Sequence, residues 1–145
     1  AIRFDERDAR PMGRNSKGVT GLRFKKGGDE VIEMLVIPNG KDEYEVFVVA
    51  ENGYGKRTDL SEYRLQSRGG SGLLTYSAGD KTGGLVAGKL KPKHEEPKDI
   101  LLATTSGKVI RIGSESVPTL SRATKGVKLI RLSNNDKVSS VEFLR

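Results

Sequence analysis

The sequence contains no cysteine, no tryptophan and a single histidine, and only 6% of its residues are aromatic. Without cysteine neither a disulfide framework nor a thiolate metal site is available. With His94 alone, a zinc centre lacks its imidazole ligands, and the acidic residues never reach the spacing of a calcium loop. No metal site and no cofactor are therefore expected in this domain. A nucleophile–base pair would have to use the same His94, which sits in the Pro-flanked charged stretch "KPKHEEPKD" and reads as a solvated hairpin tip. No catalytic residue is expected. No apolar run approaches the roughly 20 residues of a membrane span, and "AIRFDERDAR" has neither the apolar stretch nor the cleavage site of a secretory leader. A membrane partner is not expected, and the cytoplasm is the expected compartment.

What is present is charge. Of 145 residues, 26 are Lys or Arg and 19 are Asp or Glu, a net charge of +7, alongside 34% hydrophobic residues. A chain of this length corresponds to one domain and buries roughly two-thirds of its unfolded surface. The positive charge is grouped: residues 1–28 hold eight Lys or Arg against three acids, and residues 107–131 hold six against one. Grouped cations favour a polyanionic partner through long-range attraction and counterion release.

The sequence also repeats. "RNSKGVTGLRF", "RGGSGLLTYS" and "RATKGVKLIRL" place Arg14, Arg68 and Arg122 at intervals of 54 residues, and Gly18, Gly72 and Gly126 keep the same interval. Arg3, Arg57 and Arg111 form a second register with that spacing, as do Gly53 and Gly107. Within a unit the apolar runs are short and rich in β-branched and aromatic residues, without a helical period. Four strands are expected per unit, at 44–50, 54–58, 73–77 and 85–90, the first two joined by "ENG" as a tight hairpin. The next unit repeats them in "ILLATTSGKVIRI", 127–132 and 137–144.

The expected fold is therefore all-β, a propeller-like array of four-stranded antiparallel blades with a repeat of about 54 residues. The chain reads as one partial domain, 1–145, with repeats at approximately 1–40, 41–95 and 96–145. Three blades are too few to close a ring. Either the chain is part of a longer protein, or copies self-associate through their open blade edges.

The seven residues "QSRGGSG", Gln66 to Gly72, are the most pointed local signal. They fail as a nucleotide-binding P-loop because Leu73 stands where the lysine belongs. The glycines suit positive φ or close backbone approach before a strand. The arginine recurs at a loop position for which the sequence suggests no use in the core, and arginine beside exposed backbone N–H groups suits a phosphate. Candidate phosphate contacts fall into two groups. Arg14, Lys17, Arg68, Arg122 and Lys125 belong to the recurring loops. Lys56, Arg57, Arg111 and Lys128 lie on or beside strands, where they either reach phosphate or lie over apolar neighbours. The shared register of Arg3, Arg57 and Arg111 equally allows a structural role in every blade.

"ENGYGKRTDLSEYRLQSRGGSG", "GRNSKGVTGLRF" and "SRATKGVKLIRL" resemble the C-terminal domain of the DNA gyrase A subunit, with the topoisomerase IV subunit second. The resemblance runs from about Ile2 to Leu144. It implies a β-pinwheel that binds double-stranded DNA along a basic outer rim and wraps it, supporting negative supercoiling by a bacterial, cytoplasmic, nucleoid-associated enzyme. The chain resembles the last three blades. The remainder of the gyrase A subunit and the gyrase B subunit are the implied partners, and ATP and Mg belong to the whole enzyme. "QSRGGSG" is similar to the family's wrapping box, but Ser67 and Ser71 replace basic residues, so it reads as a degenerate copy. None of Tyr44, Tyr54, Tyr63 or Tyr76 matches the surroundings of the family's catalytic tyrosine.

Overall fold

A computed structural model describes residues 1–38, 42–95 and 99–144. Among them, seven strands form two antiparallel sheets: β1 (Tyr44–Ala50), β2 (Tyr54–Asp59), β3 (Leu85–Pro92), β4 (Asp99–Thr104), β5 (Val109–Gly113), β6 (Val127–Lys128) and β7 (Val138–Leu144). One sheet runs β3-β1-β2-β6 and the other β5-β4-β7.

The sequence of β1, YEVFVVA, explains its central place. Alternate residues point to opposite faces of a strand, and here both faces are apolar. Phe47 and Val49 enter a core with Ile100, Leu102, Val117, Val138 and Val141 from the following unit. Val48 and Ala50 pack with Tyr76 on the other face. Phe47 is fully buried and meets Phe143 edge-on at 5.5 Å. Burial of a side chain of this size contributes about 1.5–3 kcal/mol, so this contact between units is a principal element of cohesion. The β1–β2 connection, Glu51–Gly53, closes with Gly53 N–H donating to Ala50 O at 3.0 Å. Of the Asn-Gly pair only Gly53 takes positive φ, 84°, and Gly107 does the same in the β4–β5 connection.

The 54-residue period is visible in the backbone. Single 3₁₀ turns occupy Glu6–Asp8, Leu60–Glu62 and Ser114–Ser116. Parallel bridges join Arg3 to Leu65 and Arg57 to Thr119. Both bridges cross from one unit to the next.

Two strand expectations are corrected. The four-stranded sheet is not one unit's own: β1, β2 and β3 come from the second unit, whereas β6 comes from the third. Correspondingly, 73–77 forms no strand beside 85–90. Leu73 instead exchanges backbone hydrogen bonds with Ala1 of the first unit, its N–H reaching Ala1 O at 2.6 Å. The expected strand 127–132 is reduced to Val127–Lys128 for the same reason, since the short edge it meets is Tyr54–Gly55. The third unit thus lends a short strand to the second, and the second unit pairs Leu73 with Ala1 of the first. Residues 31–38, equivalent in register to β3, lie outside either sheet, and Val31, Met34 and Val36 are exposed.

Candidate nucleic-acid interface

The "QSRGGSG" stretch is a strap onto the preceding unit. Arg68 Nη1 donates to Thr20 O at 2.6 Å and its Nε to Asp8 O at 3.0 Å. Gly69 N–H donates to Gly21 O at 2.8 Å, and Gly70 O accepts from Arg23 N–H at 3.0 Å. One period later, Arg122 Nη1 donates to Leu74 O at 2.5 Å, across the same 48-residue span as Arg68 to Thr20. The recurring arginine therefore has a structural use that the sequence did not disclose: its guanidinium, half-buried, holds a carbonyl of the neighbouring unit. Arg14, in the same register, is exposed.

The glycines before the lent strand behave as expected. Gly18, Gly72 and Gly126 have φ of 75°, 74° and 71°. A Cβ on Gly72 would lie 2.3 Å from Ala1 O, and one on Gly126 would lie 2.4 Å from Gly55 O. Both positive φ and close approach are required there.

Lys56 is a correction. It has no exposed surface, and its Nζ donates to Ser121 O at 2.7 Å, Arg122 O at 2.6 Å and Thr124 Oγ1 at 3.2 Å. Burial, with repulsion from Arg122 and against the pull of Glu62, lowers its pKa to about 8. A buried ammonium ringed by oxygens cannot reach a phosphate, so Lys56 braces the arginine loop instead. Arg57 is also structural: Nε donates to Val117 O at 2.9 Å, Nη1 lies 3.4 Å from Glu45 Oε2, and its backbone pairs with Pro118 and Leu120. Arg3 repeats this, with Nη1 donating to Tyr63 O at 3.1 Å and to Asp42 Oδ1 at 2.7 Å. Arg111, the third of that register, is exposed but hydrogen-bonded to the Asp99 carboxylate, which raises its pKa.

Four of the expected contacts remain as exposed cations without a carboxylate partner among the described residues: Arg14, Lys17, Lys125 and Lys128. Lys17 and Lys125 occupy one register position, immediately before Gly18 and Gly126. Around Lys125 the tied Arg122 and the closely packed Gly126 bracket that position, so the strap sets where this lysine emerges. Lys81, which no repeat flagged, is exposed beside Tyr54 with Lys128.

The comparisons with known proteins agree with this architecture. A family model described as DNA gyrase C-terminal domain, β-propeller, matches residues 1–38, 44–94 and 98–145. The DNA gyrase A subunit of Thermotoga maritima is 43% identical over 145 residues, covering 100% of this chain and 17% of that protein. Its counterpart in Ureaplasma parvum is 41% identical over 146 residues, covering 99% of this chain and 16% of the relative. A solved DNA gyrase A C-terminal domain superposes with a TM-score of 0.83 at 29% identity, over 98% of this chain and 46% of that one. The C-terminal domain of DNA topoisomerase IV shares the fold, with a TM-score of 0.79 at 20% identity over 96% of this chain and 42% of the other. The chain spans less than a fifth of the length of the two gyrase A relatives, and it belongs to the DNA gyrase C-terminal domain family.

Proposed function

We propose that this chain is a non-catalytic DNA-binding and DNA-wrapping element of the DNA gyrase A subunit, supporting ATP-dependent negative supercoiling by the whole enzyme together with the gyrase B subunit. The observation that carries the reading is the pair Lys17 and Lys125, equivalent positions two units apart, both exposed and free of carboxylate partners among the described residues. Cations recurring at this register along the array neutralise phosphates of a bent duplex. Bending a short site costs of order 1–6 kcal/mol, which the added phosphate contacts offset. Contacts of this kind position the duplex without reading bases, so little sequence preference is expected. Arg122 acts indirectly, by fixing the loop that presents Lys125, and Arg68 by holding Thr20 O, three residues after Lys17.

The test is titration of mixed-sequence duplex DNA across a range of salt concentrations. With about six phosphates contacted, log affinity should fall against log salt with a slope near −5. Lys17→Gln with Lys125→Gln should make that slope shallower by about 2, with unchanged thermal unfolding. A wild-type slope near zero would refute the reading and favour a propeller that binds acidic protein partners.

A further inference from the structure

Strand lending between units assembles a group of side chains that neither unit contains alone. β6 pairs with β2 so that Lys128 stands opposite Tyr54. The Lys128 ammonium lies 5.4 Å from the Tyr54 ring centroid. Lys81, from the turn preceding β3, places its ammonium 5.9 Å from the same ring. Neither lysine meets a carboxylate among the described residues, so two like charges share one aromatic ring whose quadrupole only partly compensates them.

Beside them is a cavity of about 360 Å³ whose lining includes Tyr54, Lys81, Lys128, Ser133, Asp136 and Lys137. The acid in that lining is already occupied. Asp136 accepts from Thr105 Oγ1 at 3.1 Å, from Ser106 N–H at 3.0 Å and from Ser106 Oγ at 2.7 Å. Lys137 is likewise engaged, its Nζ 2.7 Å from Asn52 Oδ1. A further cation, Lys108, donates to Ser133 Oγ at 3.1 Å on the cavity wall. Asp136 keeps its negative charge, because its partners are neutral donors, but Lys81, Lys128 and Lys137 outnumber it in the lining, and the ligand that fits this net positive wall is an oxyanion.

We infer that Lys81, Lys128 and the face of Tyr54 form a clamp for a phosphodiester of the duplex backbone at the seam between the second and third units. The inference rests on the DNA-binding reading above. Lys81 and Lys128 supply the charge, the Tyr54 ring lies within about 6 Å of both ammonium groups, and the lent strand sets Lys128 opposite Tyr54. The seam is thus both the joint between units and a contact point, so a duplex held there also braces β6 against β2.

The experiment is lysine acetylation of the full chain, read by mass spectrometry, with no ligand, with mixed-sequence duplex DNA, and with inorganic phosphate at equal phosphate concentration. Duplex DNA should protect Lys81 and Lys128, and inorganic phosphate should not. Buried Lys56 should be unreactive throughout. In parallel, Lys81→Gln with Lys128→Gln should make the salt slope of DNA binding shallower by about 2. A steep wild-type slope that the double variant leaves unchanged would overturn the clamp and leave the DNA-binding reading standing. A flat wild-type slope would overturn both. Equal protection by inorganic phosphate would overturn the duplex assignment.

Discussion

Replacing Gly126 by alanine tests whether the joint between units depends on close backbone approach. The residue has φ of 71°, where an L side chain costs roughly 1–2 kcal/mol. The new Cβ would lie 2.4 Å from Gly55 O and 2.8 Å from Gly55 C. That carbonyl belongs to β2, and Gly55 is paired with Val49 on one side and Val127 on the other. It cannot retreat without disturbing both ladders, and overpacking of this kind adds about 1–3 kcal/mol. The expected total is about 3 kcal/mol. For a guanidinium m-value of roughly 4 kcal/mol/M, this lowers the unfolding midpoint by about 0.7 M. The repeat supplies the control: Gly18 has φ of 75° but nothing within 4 Å of its Cβ position. Gly18→Ala should therefore show only the backbone cost, about 1–2 kcal/mol. Gly72→Ala should likewise exceed Gly18→Ala, because its Cβ would lie 2.3 Å from Ala1 O. Equal midpoint losses for Gly18→Ala and Gly126→Ala in guanidinium denaturation would refute the close-approach account.

Arg122→Ala removes a charge-assisted bond to Leu74 O and should cost about 1.5–3 kcal/mol by denaturation. Arg14→Ala, at an exposed side chain, should stay within about 0.5 kcal/mol of wild type, and similar losses from the two would count against the tie. Asp136 is held at about 2, below its ordinary 3.8, chiefly by the Ser106 hydroxyl and against the effect of burial. Its folded-state pKa is depressed, so its contribution is fully present above about 3.8 and is lost as pH falls towards 2. Asp136→Asn should flatten the decline of stability across that window, and parallel pH profiles for variant and wild type would exclude the assignment.

Much of the architecture was legible in the residues themselves. The interval between Arg14, Arg68 and Arg122 is a property of the chain, and it reappears as 3₁₀ turns beginning at residues 6, 60 and 114. Short β-branched runs dictated β1 and the β4–β5 hairpin, because local alternation and turn chemistry act over a few residues. The positive φ of Gly18, Gly72 and Gly126 was likewise implied by glycine standing before a strand.

Which unit each hydrogen bond joins was decided only by the folded chain. A period states that positions are equivalent, but it does not say whether a strand pairs within its own unit or with its neighbour, since the side-chain pattern is the same in both. Strand pairing and the burial of a long cation depend on partners far away in sequence. Arg122 finds Leu74 O across 48 residues, and the Lys56 ammonium finds its oxygens 65 to 68 residues away. Sequence therefore set the repeat, the strand-forming segments and the net positive charge. Tertiary structure determined which cations are consumed in holding units together and which are left facing solvent.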